Sequence, residues 1–400
     1  MAPLGPFGAA PRLVAGVSGG PHSLALALLA HGWARAQGGR LVAVVADHGL
    51  RSDSAAEAEA VRACLHVRGI ESRVVRLAVP QGPALQRRAR DARLGALLDA
   101  CAALGAPWLL LGHHRGDQAE TVLLRALAGS ADAGLAAMAP VRAAAEALIL
   151  RPLLDVPPAR LEATLRALAV TPFRDPSNRD PRFTRVRLRA ALGDPDGKGA
   201  AVAGLASAAG RFAARRDRAE AGVAARLSSA ASIYPEGFAR LDPVALGHDG
   251  VAVAALAALL RLVAGARYAP PREGVAALLA RGKGTLGGAR LLRAGQLLLA
   301  IREATAMVPP VPARAGAVWD GRFRLEGPGA AGYEIGALGP GSAPGARPAR
   351  PSWLPSAAWQ ALPAVRRDGM LVAVPGVVYR EDWMSTAFRI TFAPEGGPLP

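Results

Sequence analysis

Leu13-Val14-Ala15-Gly16-Val17-Ser18-Gly19-Gly20-Pro21-His22-Ser23 is an apolar run that breaks into a glycine loop and then enters a helical pattern over 23–36. Five consecutive small or apolar residues leave no polar face, so 13–17 reads as a strand buried on both sides. Glycine lets backbone N–H groups approach an anion closely, and the helix N-terminus that follows adds its dipole. The hydroxyls of Ser18 and Ser23 supply further donors. There is no G-x-x-x-x-G-K-[ST] pattern and no G-x-G-x-x-G after the strand, which disfavours a kinase-type or dinucleotide site.

Outward from this turn the same alternation continues. Strands are predicted at 41–46, 73–78, 108–111 and 148–150, and helices at 54–68, 85–104 and 118–128. Ser54 and Glu57 have capping-box spacing at the start of the second helix. Strands alternating with helices imply a parallel sheet covered on both faces, with ligands at the carboxyl ends of the strands. A further helix is expected over 157–169, opened by Pro157 and Pro158, and then an Arg-rich loop. Residues 198–280 read as helical and Ala-rich, with Arg211, Arg215, Arg216 and Arg218 as charges. Residues 285–301 resemble a hairpin turning at Gly295. Pro309, Pro310 and Pro312 mark a linker, and the tail from 313 mixes short strands and turns, with a Pro/Gly-rich loop at 339–351. The expected class is α/β: a Rossmann-like parallel sheet in 1–190, a mainly helical subdomain in 191–307 and a small mixed α+β domain in 308–400.

The chain carries a formal net charge of +17, and almost all of its cations are arginine, Lys198 and Lys283 being the only lysines. Such a surplus favours a polyanionic partner, because neutralising phosphates releases counterions. Cys64 and Cys101 fall in helical segments, and no Cys/His set has metal-ligand spacing. Two isolated cysteines fit a reducing cytoplasm. The apolar stretch 250–266 is cut by Arg261, and no secretory signal or membrane span is expected.

Four further segments carry polar chemistry. Asp47-His48-Gly49-Leu50-Arg51 follows the second strand. His113-His114-Arg115-Gly116-Asp117-Gln118-Ala119-Glu120-Thr121 follows the fourth, with Asp117 and Glu120 three apart on one helix face. Arg151-Pro152-Leu153-Leu154 comes next. The last runs Asp175-Pro176-Ser177-Asn178-Arg179-Asp180-Pro181-Arg182-Phe183-Thr184-Arg185-Val186-Arg187-Leu188-Arg189, and 171–190 holds six arginines against two aspartates. Forked guanidinium donors suit phosphate.

In this order the segments resemble the tRNA(Ile)-lysidine synthetase family of the PP-loop ATP pyrophosphatases, whose motifs read S-G-G-x-D-S, D-H-G-L-R, H-H-x-D-D-Q-x-E-T, R-P-L-L and D-P-S-N-x-D-x-x-F-x-R-x-x-x-R. The likeness covers the first 190 residues, with weaker echoes at Thr285-Leu286-Gly287-Gly288 and Val374-Pro375-Gly376. Two positions depart from it: His22 stands for the loop Asp, and Gly116 for the first Asp of the pair. The resemblance implies a PP-loop sheet and ATP with Mg²⁺. The reaction it implies adenylates the C2 oxygen of the wobble cytidine in a CAU-anticodon tRNA(Ile), and free L-lysine then displaces AMP. It places Ser18, Gly19, Gly20, Pro21, His22, Ser23, Asp47 and His48 at the nucleotide, and Asp117, Glu120 and Arg151 in catalysis. Asp117 and Glu120 face a metal or a lysine ammonium, and Arg174, Asn178, Arg182, Arg185 and Arg189 face tRNA. The competing readings are another PP-loop tRNA-modifying enzyme such as a thiolase, and a non-catalytic RNA-binding relic. Neither cysteine lies in a motif loop, which counts against a thiolase. Oligomeric state is open between a monomer and a homodimer.

Overall fold

The structure, a computed structural model, describes residues 1–47, 49, 53–77, 85–130, 132–174, 180–340, 349–395, 397 and 399, with backbone only for 85, 86, 133, 378 and 379. It divides into two compact units, Met1–Asp217 and Arg218–Pro400.

The first unit runs β1 (Arg12–Val17), α1 (Pro21–Ala36), β2 (Arg40–Asp47), α2 (Ser54–His66), β3 (Glu71–Arg76), α3 (Leu85–Leu104), β4 (Trp108–Leu111), α4 (Arg115–Leu127), α5 (Asp132–Leu135), β5 (Val141–Ala143), β6 (Leu148–Leu150), α6 (Pro158–Ala167) and α7 (Thr184–Leu192). The sheet order is β3-β2-β1-β4-β6-β5, parallel except for β5, which pairs antiparallel with β6. Side chains of β1 alternate between two cores. Leu13, Ala15 and Val17 pack with α1, α2 and α6, whereas Val14 packs with Leu97 and Cys101 of α3. Gly16 leaves room for that helix, since a Cβ there would lie 2.8 Å from Leu97 Cδ1. Strand order reverses between β1 and β4, and a crevice opens at their carboxyl ends, where such sheets bind ligands.

Local sequence explains most boundaries. Helix α1 starts at Pro21, two residues before the periodicity predicts, because proline at the first helical position lacks an N–H that would be unsatisfied anyway. The capping box expected at Ser54 and Glu57 does not form. Ser54 is already helical, and Asp53, the N-cap residue, makes no side-chain cap bond. The capping box of this unit sits instead at His114 and Asp117, opening α4.

Helix α8 (Ala200–Ala230) contains the division between the units. The second unit continues with β7 (Ala231–Tyr234), β8 (Phe238–Leu241), α9 (Pro243–Leu246), α10 (Gly250–Ala264), α11 (Arg272–Arg281), β9 (Gly284–Leu286), β10 (Ala289–Ala294) and β11 (Leu297–Arg302). The strands form one antiparallel sheet, β7-β8-β11-β10-β9, with α10 and α11 packed in its core. The β10–β11 hairpin agrees with the pattern in the sequence. The β7–β8 hairpin departs from it, interrupting the run that reads as helical. Beyond lie β12 (Val311–Arg314), β13 (Val318–Trp319), β14 (Phe323–Leu325), β15 (Gly329–Ala337), α12 (Ser356–Gln360), β16 (Pro363–Arg367), β17 (Met370–Val374), β18 (Val378–Tyr379), α13 (Asp382–Ala387) and β19 (Ile390–Phe392), in two small sheets.

One buried ion cluster joins the parts of this unit. Asp320 accepts from Arg302 Nε at 2.8 Å, Arg302 Nη2 at 2.8 Å and Arg322 Nε at 2.7 Å, and from the Val308 N–H at 3.1 Å. Arg322 is fully buried and also donates to the Ala361 carbonyl. Burial would raise the Asp320 pKa, but the hydrogen bond from Arg302 and the two positive charges outweigh it and hold the carboxyl below its ordinary range. Burial pushes the Arg322 guanidinium down to about 10, still charged at neutral pH. Removing the one anion leaves two buried cations uncompensated, so Asp320→Ala is expected to destabilise the second unit by about 3–5 kcal/mol. Urea unfolding measures this, with exposed Arg62→Ala as a near-neutral control. A loss no larger than the control's would show that the cluster is energetically idle.

Candidate active site at the carboxyl edge of the sheet

Ser18–Ser23 forms a closed loop between β1 and α1. The Ser18 N–H donates to Ser23 Oγ at 3.1 Å, the two hydroxyls lie 3.2 Å apart, and Ser23 Oγ donates to the Gly20 carbonyl at 3.1 Å. Gly19 has φ +78°, and a Cβ there would meet Val61 Cγ2 at 2.5 Å, so the sequence needs glycine for both conformation and space. Its carbonyl accepts from the Phe173 N–H at 3.0 Å, which brings Arg174 beside the loop. At Gly20 a Cβ would meet only Ser18 Oγ, at 3.5 Å, so this side of the loop is open. No side chain caps α1, and its first-turn N–H groups have no intrahelical acceptor. The loop is therefore built to receive an anion.

The other lip of the crevice comes from β4 and α4. Gly112 follows β4 so close to the loop that a Cβ would lie 3.1–3.2 Å from Ser23 Cα and the His22 carbonyl. His114 caps α4: its Nδ1 accepts from the Gly116 N–H at 3.1 Å, while Asp117 Oδ2 accepts from the His114 N–H at 2.9 Å. His114 Nε2 faces the same carboxylate at 3.5 Å. Gln118 clamps the next segment, exchanging two hydrogen bonds with the Met138 backbone. The His22 ring stands edge-on to His114, with centroids 4.0 Å apart. Burial, then the neighbouring His114, pushes His22 down to about 4, and burial does the same to His113. Burial opposes ionisation of Asp117, yet the histidines, the His114 N–H and Arg185 together hold its carboxyl below the ordinary range.

Arginines surround these groups. Glu120 is 1% exposed; it accepts from Arg189 Nε at 2.8 Å and pairs with Arg185 at 3.5 Å. Burial raises its pKa against the pull of both guanidiniums. Arg185 also donates to Thr121 Oγ1 at 3.3 Å, so α7 is tied to α4 by the residues expected at tRNA. Arg151 donates to the Ala139 carbonyl at 2.7 Å and keeps a buried, unpartnered Nε. Burial, then Arg142 and Arg90, push its pKa down to about 10. Arg90 and Arg93 of α3 join this group. Both keep contact with solvent but are walled by protein closely enough that desolvation lowers their pKa, with Arg185 adding to it at Arg90 and Arg90 at Arg93. Neither is legible as a site residue in the sequence, because two arginines three apart on a helix look like a solvated face.

The remaining residues divide. Asp47 ends β2, buried, and accepts from the Gly49 N–H at 2.9 Å. Arg174 is exposed and pairs with Glu162 at 3.1 Å. Arg182 is exposed and pairs with Asp180 at 2.6 Å. His48 and Asn178 lie outside the described residues. Among the described residues no three His, Cys, Asp or Glu side chains come together in a way that could hold a metal ion.

A PP-loop domain model matches residues 4–195, a span that contains the five motif segments between Ser18 and Arg189. The tRNA(Ile)-lysidine synthase of Ruegeria pomeroyi is 34% identical over 385 residues, covering 93% of this chain and 90% of that protein. The chain belongs to the tRNA(Ile)-lysidine synthase family. Two other tRNA(Ile)-lysidine synthases agree. That of Bradyrhizobium diazoefficiens is 45% identical over 54% of this chain and 59% of its own length. That of Methylobacterium nodulans is 42% identical over 65% and 75%. The chain spans about 60% of the length of the Bradyrhizobium and Rhodopseudomonas members that it matches. No helix among the described residues is long and apolar enough to cross a membrane.

The lowered histidines set a pH dependence in this member of the tRNA(Ile)-lysidine synthase family. His22 and His113 titrate near 4 when folded and near 6.5 when unfolded, so the unfolded state binds more protons between these values. Their neutral forms stabilise the fold above about pH 6.5, and that stability is lost as pH falls toward 4. The first unit is expected to lose about 1–3 kcal/mol over this window, a figure discounted for the solvent contact of both rings. Denaturant melts at pH 7 and pH 5 measure it, and His22→Gln with His113→Gln should shrink the difference. An equal pH slope in that double variant would assign the effect elsewhere.

Proposed function

We propose that this chain joins lysine to the wobble cytidine of a CAU-anticodon tRNA(Ile), consuming ATP. One observation carries the reading: the anion-receiving loop after β1 and the Asp117–Glu120 helix start after β4 form the two lips of a single crevice. In the first step the cytidine C2 oxygen attacks the α-phosphorus of ATP, and the α–β anhydride breaks to release pyrophosphate. In the second the lysine amine attacks C2, the C2–O bond breaks, AMP leaves and the amine gives up a proton. The Mg²⁺ that the resemblance implies enters with ATP, and none of the side-chain roles below depends on it.

The roles follow from charge and position. The first-turn N–H groups of α1 and the Ser18 and Ser23 hydroxyls receive phosphate oxygens. Asp117, ionised and fixed by the His114 N–H, is the anion that faces the lysine ammonium. Glu120 holds Arg185 and Arg189 toward the crevice. Arg151, Arg90 and Arg93 stabilise negative charge as it develops, an effect strengthened where water is scarce. Exposed Arg182 remains for tRNA phosphates, as the overall charge leads one to expect.

The test is incorporation of labelled lysine into CAU-anticodon tRNA with conversion of ATP to AMP and pyrophosphate. Gly20→Val places a branched side chain on the open side of the loop and is expected to weaken ATP binding by about tenfold or more. Asp117→Asn is expected to abolish incorporation, since an amide carries no charge for the ammonium. A well-folded wild type that leaves lysine unincorporated on a validated tRNA would refute the assignment.

A separate measurement concerns RNA. tRNA affinity should fall steeply with salt, and replacing Arg182 with glutamine should reduce the log–log slope by about 1. An unchanged slope would remove this residue from the RNA surface.

A further inference from the structure

Both departures from the family motifs meet at one point of the crevice. His22 takes the place of the loop Asp and packs its ring against His114. Gly116 takes the place of an Asp in α4, and a Cβ there would press on the His114 ring at 3.0 Å from Cε1 and 3.2 Å from Nδ1. An imidazole thus stands where the family pattern puts the loop's acidic side chain, and a side chain at 116 would require the His114 ring to give by a few tenths of an ångström.

The acids that remain are committed elsewhere. Asp117 Oδ2 takes the His114 N–H in the capping box and faces His114 Nε2. Glu120 is buried under Arg189 and Arg185. Asp47 holds the Gly49 N–H. A hard divalent cation needs several oxygen ligands in one place, and neutral imidazole is a poor substitute for them. The Nε2 of His22 is buried and unpartnered, but a lone nitrogen does not make a magnesium site. The donor set therefore does not fit a protein-held Mg²⁺.

What the crevice offers instead is guanidinium. Arg174 stands exposed beside the loop, with one terminal nitrogen on Glu162 at 3.1 Å. Arg174 follows Phe173, whose N–H grips the Gly19 carbonyl. Arg189 reaches from α7 with its Nε on Glu120, which leaves its terminal nitrogens for another acceptor. Arginine keeps its charge and presents forked donors that match phosphate oxygens two at a time.

We infer that this chain holds no divalent cation with its own side chains and that Arg174 and Arg189 neutralise the polyphosphate of ATP in its place. This rests on the nucleotide site proposed above. Any metal in the reaction is then carried by ATP's own phosphates, and nucleotide binding is only weakly coupled to it.

Two measurements on the full chain test this, neither of them reading activity. The first follows Mn²⁺ by electron paramagnetic resonance without nucleotide, and no binding is expected below ~1 mM. Stoichiometric binding at tens of micromolar or tighter would overturn the inference. The second compares ATP binding by calorimetry in EDTA and in excess Mg²⁺. The affinities should agree within about tenfold, and Arg174→Gln with Arg189→Gln should weaken binding in EDTA by about tenfold or more. ATP bound only with metal would overturn the inference and leave the nucleotide site standing. ATP bound under neither condition would remove the nucleotide site itself. The pair His22→Asp with Gly116→Asp adds a converse arm: it should gain Mn²⁺ affinity, and a folded double variant without that gain would show that these positions do not set metal binding.

Discussion

Strand β1 is hydrogen-bonded on both sides by parallel neighbours, β2 and β4, and the chemistry of the molecule depends on that pairing. Parallel strands require crossovers that return the chain to the same edge, so every loop leaving a carboxyl end gathers there. The chain moves outward from β1 on one side, then returns to lay β4 on the other. Only at this reversal do consecutive loops part and leave a crevice. The register Gly16↔Leu111 sets the Ser18 loop opposite Gly112 and His113. Gly112 then lets the two backbones approach more closely than any side chain would permit. A β4 shifted by one residue would swap the side chains it gives to the two cores and take Gly112 away from its place against Ser23.

Electrostatics at this edge follow from crowding like charges near a low-dielectric wall. Desolvation by the surrounding protein and neighbouring guanidiniums lower the proton affinity of half-buried Arg151 and, although they are exposed, of Arg90 and Arg93. Such a cluster is costly unless an anion completes it. Glu120 is a buried anion at this edge, and it is taken up by Arg185 and Arg189. The second unit shows the same device closed: Arg302 and Arg322 share Asp320, backbone groups add further bonds, and the cluster is sealed from solvent. A sealed cluster stabilises a fold, and an open one at a strand edge is suited to binding.

The centre of the sheet is legible in the sequence because β1, β2 and β4 are buried on both faces. Uninterrupted apolar runs such as 13–17 and 41–46 leave no polar side for water, and the predicted spans differ from β1 and β2 by a residue or two. The glycine loop and the Asp117–Glu120 helix start are legible as motifs because each is written in neighbouring residues. What depends on three-dimensional proximity stays hidden. Arg90 and Arg93 are indistinguishable in the sequence from a solvated helical face. Ser54 and Glu57 have the spacing of a capping box, yet the helix takes in Ser54 itself. The Ala-rich stretch after 198 hides the β7–β8 hairpin, since alanine carries almost no information about strand against helix, and the turn rests on Gly237 at φ +80°.

His22 and Gly116 look in the sequence like two independent losses, and as such they favour a relic. In space they are neighbours. His114 lies between them: its ring packs against His22, and a Cβ at 116 would stand 3.0–3.2 Å from it. The same ring caps α4 and lines up Asp117, so the rearrangement preserves the orientation of the surviving acid. Random decay after loss of function has no reason to keep a buried Glu120 under two arginines. A buried carboxylate without partners costs several kcal/mol, and the simplest relief would have been to replace it with an apolar residue. Here Arg185 and Arg189 supply that relief, and Glu120 stays as a paired carboxylate.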